Sequence, residues 1–196
     1  MWYVIYAGGG KEERTLKLIK RYLANARVDE THADAPHADD THAGTLHAGD
    51  TQPLIQDAFV LYSELPWHSK GTWSRVTRPT LAGYIFVKTR RPQELAAQLR
   101  SVPALTRLLG SSDSFTPLSA EESKWLELVS ADDQHIMGMS EAVKTGDQVR
   151  VVSGPLKGFE GNIRRIDAHH RIAEVGLEFM GRNVTMRLGC EIIRKE

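Results

Sequence analysis

The C-terminal quarter of the sequence is a run of short apolar segments separated by turn residues, and this pattern leaves few folds open. The segments are rich in β-branched residues and are too short for ordinary helices. Gly154-Pro155 and Gly181 stand where the chain must change direction. Short strands that follow one another so closely bury their apolar faces by closing into a compact β-barrel. Strands are predicted at residues 148–152, 161–167, 172–179, 183–188 and 190–193.

The preceding residues mix strand and helix signals. Residues 2–7 form a short aromatic and β-branched run that predicts a buried strand, and apolar residues at helical spacing predict a helix over 11–24. Strands are expected at 59–65 and 82–89, joined by a long polar hairpin tip over 66–78. Pro92 and the capping-box pair Ser119 and Glu122 predict two further helix starts. The fold class is therefore α+β, with a first domain over 1–130, a linker over 131–142 and the barrel over 143–196.

Residues 29–57 differ in kind from the rest of the first domain. A His recurs every five residues, and Ala, Asp, Thr, Gly and Pro fill the gaps. A period of five fits neither a helix nor a strand, and so little apolar surface cannot offset the entropy of ordering. We therefore expect a disordered insertion without a physiological metal, the alternative being a tether that collects Zn²⁺ or Ni²⁺. The repeating residues are His32, His37, His42 and His47.

Charge and cysteine content exclude several classes of protein. Lys plus Arg and Asp plus Glu both total 25, so the formal net charge is zero, unlike that of a histone-like or membrane-coating protein. From residue 143 onward there are ten basic and seven acidic side chains, so the barrel is net +3 and is the end expected to meet nucleic acid. Cys190 is the single cysteine, which excludes an internal disulfide framework and predicts an inert thiol in a reducing cytosol. With no apolar run of ~20 residues and no signal-peptide pattern, we expect a cytoplasmic protein without membrane contact.

Enzyme signatures are not found in the sequence. Gly8-Gly9-Gly10-Lys11 does not have the spacing of a phosphate-binding loop, and no Ser, His and Asp arrangement falls on identifiable elements. His169-His170 falls in a predicted hairpin turn, where solvated side chains are more common than metal ligands. We therefore expect a binding protein that uses no cofactor.

Residues 146–167, GDQVRVVSGPLKGFEGNIRRID, resemble a KOW motif, which forms small barrels in NusG-type transcription factors and in several ribosomal proteins. The N-terminal half distinguishes these families. WYVIYAGGGKEER at 2–14, RPTLAGYIFV at 78–87 and LRSVPALTRLLGSSDSFTPLSAEE at 99–122 resemble the NusG N-terminal domain in order and spacing. The resemblance implies an α/β sandwich, with an antiparallel sheet and helices, that grips the clamp helices of RNA polymerase.

The resemblance also implies where the polymerase would bind. An aromatic-rich apolar surface is a common binding surface, and the alternative is that Trp2 and Phe86 are plain core residues. The sequence departs from the family at Leu81-Ala82-Gly83-Tyr84, where an FPGY-like stretch is usual; it lacks the proline but keeps the glycine and the aromatic residue. Carried over by position, the implied polymerase-binding residues are Trp2, Tyr3, Leu81, Gly83, Tyr84 and Phe86.

Nucleic-acid and partner contacts are expected at two further places. The hairpin tip is expected to contact non-template DNA, and the barrel is expected to contact an RNA hairpin through basic residues and a partner protein through Phe179. The alternative for the basic residues is an ordinary solvated face. The DNA candidates are Lys70, Arg75 and Arg78, and the RNA candidates are Lys157, Arg164, Arg165, Arg171 and Arg182.

The departure at 81–84, the large insertion and the His-bearing hairpin tip favour a specialised member of the NusG family, most similar to LoaP-type antiterminators. We expect it to be a monomer. A general elongation and termination factor, whose barrel binds a ribosomal protein or Rho, is one alternative. A ribosome-associated protein that uses its KOW barrel on RNA is another.

Overall fold

The computed structural model describes residues 1–29, 53–102, 107–108, 116–130, 134–146 and 148–195. The predicted His repeat lies outside these residues. Within them the α+β class is confirmed, with an N-terminal α/β part and a C-terminal β-barrel.

The N-terminal part is built on a four-stranded sheet of order β2-β5-β1-β6. Strand β1 pairs antiparallel with both β5 and β6, so it is central in the sheet. Alternation along β1 sends Trp2 and Val4 to one face and Tyr3 and Ile5 to the other. The strands are β1 (Trp2–Tyr6), β2 (Asp57–Phe59), β5 (Tyr84–Lys88) and β6 (Arg107–Leu108).

Helices cover both faces of this sheet. The face that carries Tyr3 and Ile5 packs against α1 (Glu12–Asp29) and α2 (Pro92–Leu99), through Ile19 and Leu95 among others. The face that carries Trp2 packs against α3 (Ala120–Val129), whose Leu126 and Val129 are buried. Helix α3 begins at the predicted capping box: Ser119 Oγ accepts from Glu122 N, and the Glu122 carboxylate accepts from Ser119 N. The capping-box prediction is confirmed.

The predicted polar hairpin tip is largely regular strand. Strands β3 (Tyr62–Ser69) and β4 (Thr72–Pro79) pair along their whole length, and Lys70 and Gly71 alone form the turn. Both turn residues have positive φ, 50° and 79°, as a two-residue hairpin turn requires. The prediction of a long tip over 66–78 is therefore wrong. The polar residues of this stretch resemble a loop, but they lie on two paired strands whose hairpin is exposed to solvent.

The barrel is a five-stranded sheet of order β10-β11-β12-β8-β9. Two of the predicted strands are in fact one long strand, β12, which continues through Gly189. Strand β8 was not predicted, because its mixture of charged and small residues carries only a weak strand pattern. The barrel strands are β8 (Ser140–Thr145), β9 (Gln148–Ser153), β10 (Ile163–Asp167), β11 (Ile172–Phe179) and β12 (Arg182–Lys195).

Two segment boundaries differ from the expected ones. The expected linker contains β7 (Ile136–Met137), which pairs with β3, and the start of β8, so only Gly138 and Met139 separate the two strands. The expected insertion extended to residue 57, but Leu54 and Ile55 pack against the core beneath α1. Thr89 Oγ1 donates to Leu54 O at 2.7 Å and fixes that segment to the end of β5.

Candidate docking face and domain interface

Trp2 is an anchor of the N-terminal core and is not exposed. It is 4% exposed, and its Nε1 donates to Glu127 Oε1 of α3 at 3.0 Å. The Lys88 ammonium group lies 5.2 Å from the Trp2 ring and 3.1 Å from Glu127 Oε1. The hydrogen bonds from Trp2 and then Lys88 hold the pKa of Glu127 below its ordinary value. Trp2 therefore holds α3 against the sheet, as the core alternative for this residue expected.

Tyr3 lies apart from the other polymerase-binding candidates. It is 6% exposed and belongs to the core beneath α1 and α2, on the opposite face of β1 from Trp2. Adjacent residues in a strand point to opposite faces, so Trp2 and Tyr3 cannot contribute to one surface.

A buried carboxylate holds the turn over residues 81–84 in place. Glu12, at the start of α1, is 3% exposed, and its Oε1 accepts hydrogen bonds from Gly10 N and Gly83 N. Gly83 has φ of +90°, and a Cβ there would lie 2.7 Å from Tyr6 Cε2. Glycine is therefore required at position 83 by both backbone conformation and space. Glu12 was not predicted as a site residue, because its partner Gly83 is distant in the sequence.

Tyr6 and Tyr84 form the exposed end of the predicted surface. They are partners in the β1–β5 register, and their ring centroids are 5.6 Å apart in an edge-to-face arrangement. Tyr6 is 40% exposed, and Tyr84 is half-buried. We call Tyr6, Leu81, Tyr84 and Phe86 the aromatic face. Tyr6 was not predicted, because its place beside Tyr84 depends on a strand register that the sequence does not reveal.

Phe179 of the barrel lies directly on the aromatic face. Its ring centroid is 6.2 Å from that of Tyr84 and 6.0 Å from that of Phe86. Phe179 is only 5% exposed, and Phe86 is fully buried. Met180 N donates to Glu122 Oε1 of α3 at 2.6 Å beside this contact. The structure thus brings together the residue predicted to bind a barrel partner and two residues predicted to bind polymerase.

The barrel also contacts the β3–β4 hairpin. A Cβ at Gly189 would lie 2.7 Å from Glu64 O, so the backbones of β12 and β3 approach closely. Arg171 lies 4.9 Å from the Trp73 ring centroid, and its guanidinium is 3.2 Å from Glu191. Arg171, an RNA candidate, is therefore engaged at the domain interface. We call the arrangement with both contacts the closed arrangement.

The DNA candidates lie on the exposed hairpin. Lys70 is at the turn, and Arg75 and Arg78 are exposed along β4. Arg75 makes a 3.3 Å salt bridge to Glu64, and surface pairs of this kind contribute little to stability.

The remaining RNA candidates are exposed on the barrel, and two of them lie together. A register shift between Ile163 and Arg165 interrupts the usual alternation, and Arg164 and Arg165 line one shallow cavity with Lys144. Arg164 also donates to Thr185 Oγ1 at 3.3 Å. Lys157 and Arg182 are exposed but do not line that cavity.

Among the described residues, no group of three or more His, Cys, Asp or Glu is placed to hold a metal ion. In the same part of the chain, no helix is long and apolar enough to cross a membrane.

Comparison with known proteins agrees with this architecture. The family model described as "Transcription termination factor nusG" matches residues 1–127, and the KOW motif model matches residues 145–175. A transcription termination/antitermination protein NusG from Helicobacter pylori is 26% identical over 188 residues, which cover 95% of this chain and 93% of that protein. The NusG of Thermus thermophilus is 30% identical over 124 residues, 58% of this chain and 65% of that protein.

A solved structure shares the fold. The structure titled "Domain interaction in Thermotoga maritima NusG" superposes with a TM-score of 0.56 at 19% identity and covers 96% of this chain and 92% of that one.

Proposed function

Because the chain belongs to the NusG family of transcription termination factors, we propose that it docks on the clamp helices of RNA polymerase through its aromatic face and holds RNA with its barrel. In this role it regulates elongation as a cytoplasmic, monomeric binding protein without catalysis of its own. The observation that carries the proposal is the aromatic face, which is covered by another part of the same chain.

The aromatic face has the properties of a protein-binding surface. Tyr6 and Tyr84 present edge-to-face rings at the end of a rigid two-strand unit, and aromatic anchors dominate the energetics of many interfaces. Glu12 and Gly83 hold the adjoining turn in one conformation, which lowers the entropy lost on binding.

In the closed arrangement the barrel occupies this surface. Phe179 contacts Tyr84 and Phe86, so clamp helices and barrel compete for the same rings. Docking therefore requires the barrel to move away, and opening releases Phe179 for a partner of its own. The polymerase affinity is lowered by the fraction of molecules that remain closed.

Docking is tested by co-purification of core polymerase with the full-length chain. Tyr84→Ala should weaken binding by about tenfold or more, since a central aromatic anchor contributes roughly 2 kcal/mol. Tyr22→Ala is the matched control, because Tyr22 is 38% exposed on α1, on the opposite side of the sheet. Equal retention of polymerase by both variants would show that the aromatic face is not the docking site.

Opening is tested by placing a charge inside the interface. Phe179→Asp should destabilise the closed arrangement, because a carboxylate would be buried against Tyr84 and Phe86 without a partner. Polymerase affinity should then rise. Ile193→Asp adds the same charge at a barrel residue that is 52% exposed, and should leave affinity unchanged.

RNA binding by the barrel is proposed for the surface around Arg164 and Arg165. Both are exposed and share a cavity with Lys144, so their charges act at one place on the surface. Arg164→Ala with Arg165→Ala should weaken binding of leader RNA and reduce the salt slope by up to about two, roughly 0.7 to 0.9 per lost phosphate contact. Capture of a ribosomal protein or Rho, without RNA binding at low salt, would favour a general NusG-type factor.

The specialised antiterminator role is proposed from the departure at Leu81-Ala82-Gly83-Tyr84 and from the long insertion. Transcription in vitro through a terminator distinguishes the possibilities. An antiterminator should raise read-through only on templates that carry its leader hairpin, whereas a general factor should act on templates without one.

A further inference from the structure

A second cavity opens between the β3–β4 hairpin and the barrel, away from the aromatic face. Its volume is about 630 Å³, within the range of sites that hold small molecules or parts of larger ones. Trp67 and Trp73 line it from the hairpin, and Ile172 and Arg187 line it from the barrel. We call it the interdomain cleft.

The aromatic walls of the cleft are unusually open to solvent. Trp67 is 53% exposed and Trp73 is 37% exposed, although Trp is usually largely buried. Trp73 has Arg171 against its ring at 4.9 Å and His68 at 4.8 Å, which fix its orientation. Trp67 has no ring contact of this kind among the described residues. An exposed indole held on a hairpin is a stacking platform for another planar group.

The charge of the cleft is positive. Arg78 from the hairpin and Arg187 from the barrel both line it, together with histidines from each side, and no carboxylate among the described residues does. Nearby Glu191 and Asp167 are already engaged, with Arg171 at 3.2 Å and His170 at 2.7 Å. Hydrogen bonds from the backbone and side chain of His170 lower the pKa of Asp167 to about 2. Glu174 is the cross-strand neighbour of Arg187 and partly offsets its positive charge. Arg187 makes no salt bridge among the described residues.

We propose that the interdomain cleft binds a short segment of single-stranded nucleic acid. A base stacks on Trp67, and the flanking phosphates lie near Arg78 and Arg187. Open aromatic faces beside unpaired guanidinium groups are the combination by which proteins hold single strands without reading their sequence. An acidic peptide would satisfy the arginines but would leave the indoles without a stacking partner.

The cleft exists only when the hairpin and barrel lie together. A single-stranded nucleic acid bound in the cleft contacts both domains and so stabilises the closed arrangement. It therefore opposes polymerase docking by the same free energy. The inference extends the nucleic-acid contact that the sequence predicts for Arg78. Its test uses no polymerase, so it can fail separately from the docking proposal.

The experiment is fluorescence anisotropy with the full-length chain and labelled octathymidylate or octauridylate, at several salt concentrations. Trp67→Ala should lower affinity about 5- to 150-fold, the loss expected for one stacked base. Arg187→Ala should reduce the salt slope by about 0.7, the value for one phosphate contact to a single strand. Tyr22→Ala and Arg150→Ala, which change an exposed aromatic and an exposed basic residue outside the cleft, should change neither quantity.

Tighter binding of octathymidylate identifies DNA as the source of the strand, and tighter binding of octauridylate identifies RNA. Both results support the proposal if Trp67 and Arg187 are both required, because these residues belong to different domains. Unchanged affinity of Trp67→Ala, in a variant whose circular dichroism matches the parent, would overturn it. Equal competition by a polyglutamate peptide of the same charge would also overturn it, because the cleft would then be only a basic surface.

Discussion

Glu122 Oε1 accepts a hydrogen bond from the backbone amide of Met180 at 2.6 Å, across the boundary between the two domains. The other oxygen of the same carboxylate closes the capping box of α3 by accepting from Ser119 N at 2.7 Å. One side chain therefore couples the start of a helix to the position of the barrel. The local and the interdomain roles of Glu122 can be separated by mutation.

Glu122→Ala should loosen the closed arrangement. A hydrogen bond to a charged group contributes about 1.5–3 kcal/mol, so the ratio of open to closed molecules should rise about 10- to 150-fold. Amide hydrogen exchange at Met180 is the direct measurement. Ser119→Ala is the matched control, since it also breaks the capping box, at about 1 kcal/mol, but leaves the bond to Met180. Equal exchange rates at Met180 in the two variants would show that the bond does not hold the domains together.

Gly189→Ala should separate the hairpin from the barrel without unfolding either. A Cβ at this position would lie 2.7 Å from Glu64 O and 2.8 Å from Met139 Cγ, closer than real contacts allow. We expect a larger radius of gyration in X-ray scattering. Gly161→Ala should leave the scattering unchanged, because a Cβ there meets nothing within 4 Å. A compact Gly189→Ala protein would mean that β3 and β12 can shift to accept the methyl group.

Glu12→Ala should destabilise the N-terminal domain by about 2 kcal/mol or more, because it leaves the amides of Gly10 and Gly83 without their acceptor. Chemical denaturation measures the loss. Glu13→Ala removes the same charge from the same helix turn, but the bond that Glu13 accepts from Tyr62 Oη, at 2.8 Å, is exposed to solvent. The control should lose less than about 1 kcal/mol. Similar losses in the two variants would show that Glu12 stabilises the domain only through its charge near the N-terminus of α1.

Cys190 should be inert in the folded protein. Burial raises its pKa to about 11 from 9.0, so the thiol stays protonated near neutral pH and should not react with thiol reagents until the barrel unfolds. The folded state favours the neutral thiol. Its contribution to stability is therefore complete below about pH 9 and is lost as pH rises towards 11.

In Cys190→Ala, the free energy of unfolding should fall less steeply as the pH rises from about 9 to about 11. Part of the decline should persist, because burial and the hydrogen bond to Glu13 also raise the pKa of Tyr62. Rapid labelling of native protein at pH 8 would contradict the assignment.

The elements that the sequence predicted well are those that local signals define. The capping box at Ser119, the strand at Trp2 and most barrel strands follow from residue pattern and turn chemistry within a few positions. Strand β8 was missed because Ser140–Thr145 has no clean alternation, and β12 was divided in two because Gly189 resembles a turn.

The site was predictable only in part, because its contacts join distant residues. The pairing of Tyr6 with Tyr84 depends on the β1–β5 register, and the contact of Phe86 with Phe179 joins separate domains. A single sequence carries no signal for either. Tyr3 was predicted to share a surface with Trp2 because the two are neighbours in the chain, but strand alternation places them on opposite faces of the sheet.

The short connection between β7 and β8 also governs competition for the aromatic face. Even if β7 left its place beside β3, residues 131–139 would span no more than about 30 Å at roughly 3.3–3.6 Å per residue. A barrel on so short a tether has an effective concentration on the order of millimolar at the surface it has left. Any partner that replaces Phe179 must therefore compete with a barrel that stays tethered beside the aromatic face. Even a weak contact between Phe179 and this face raises the affinity that such a partner needs.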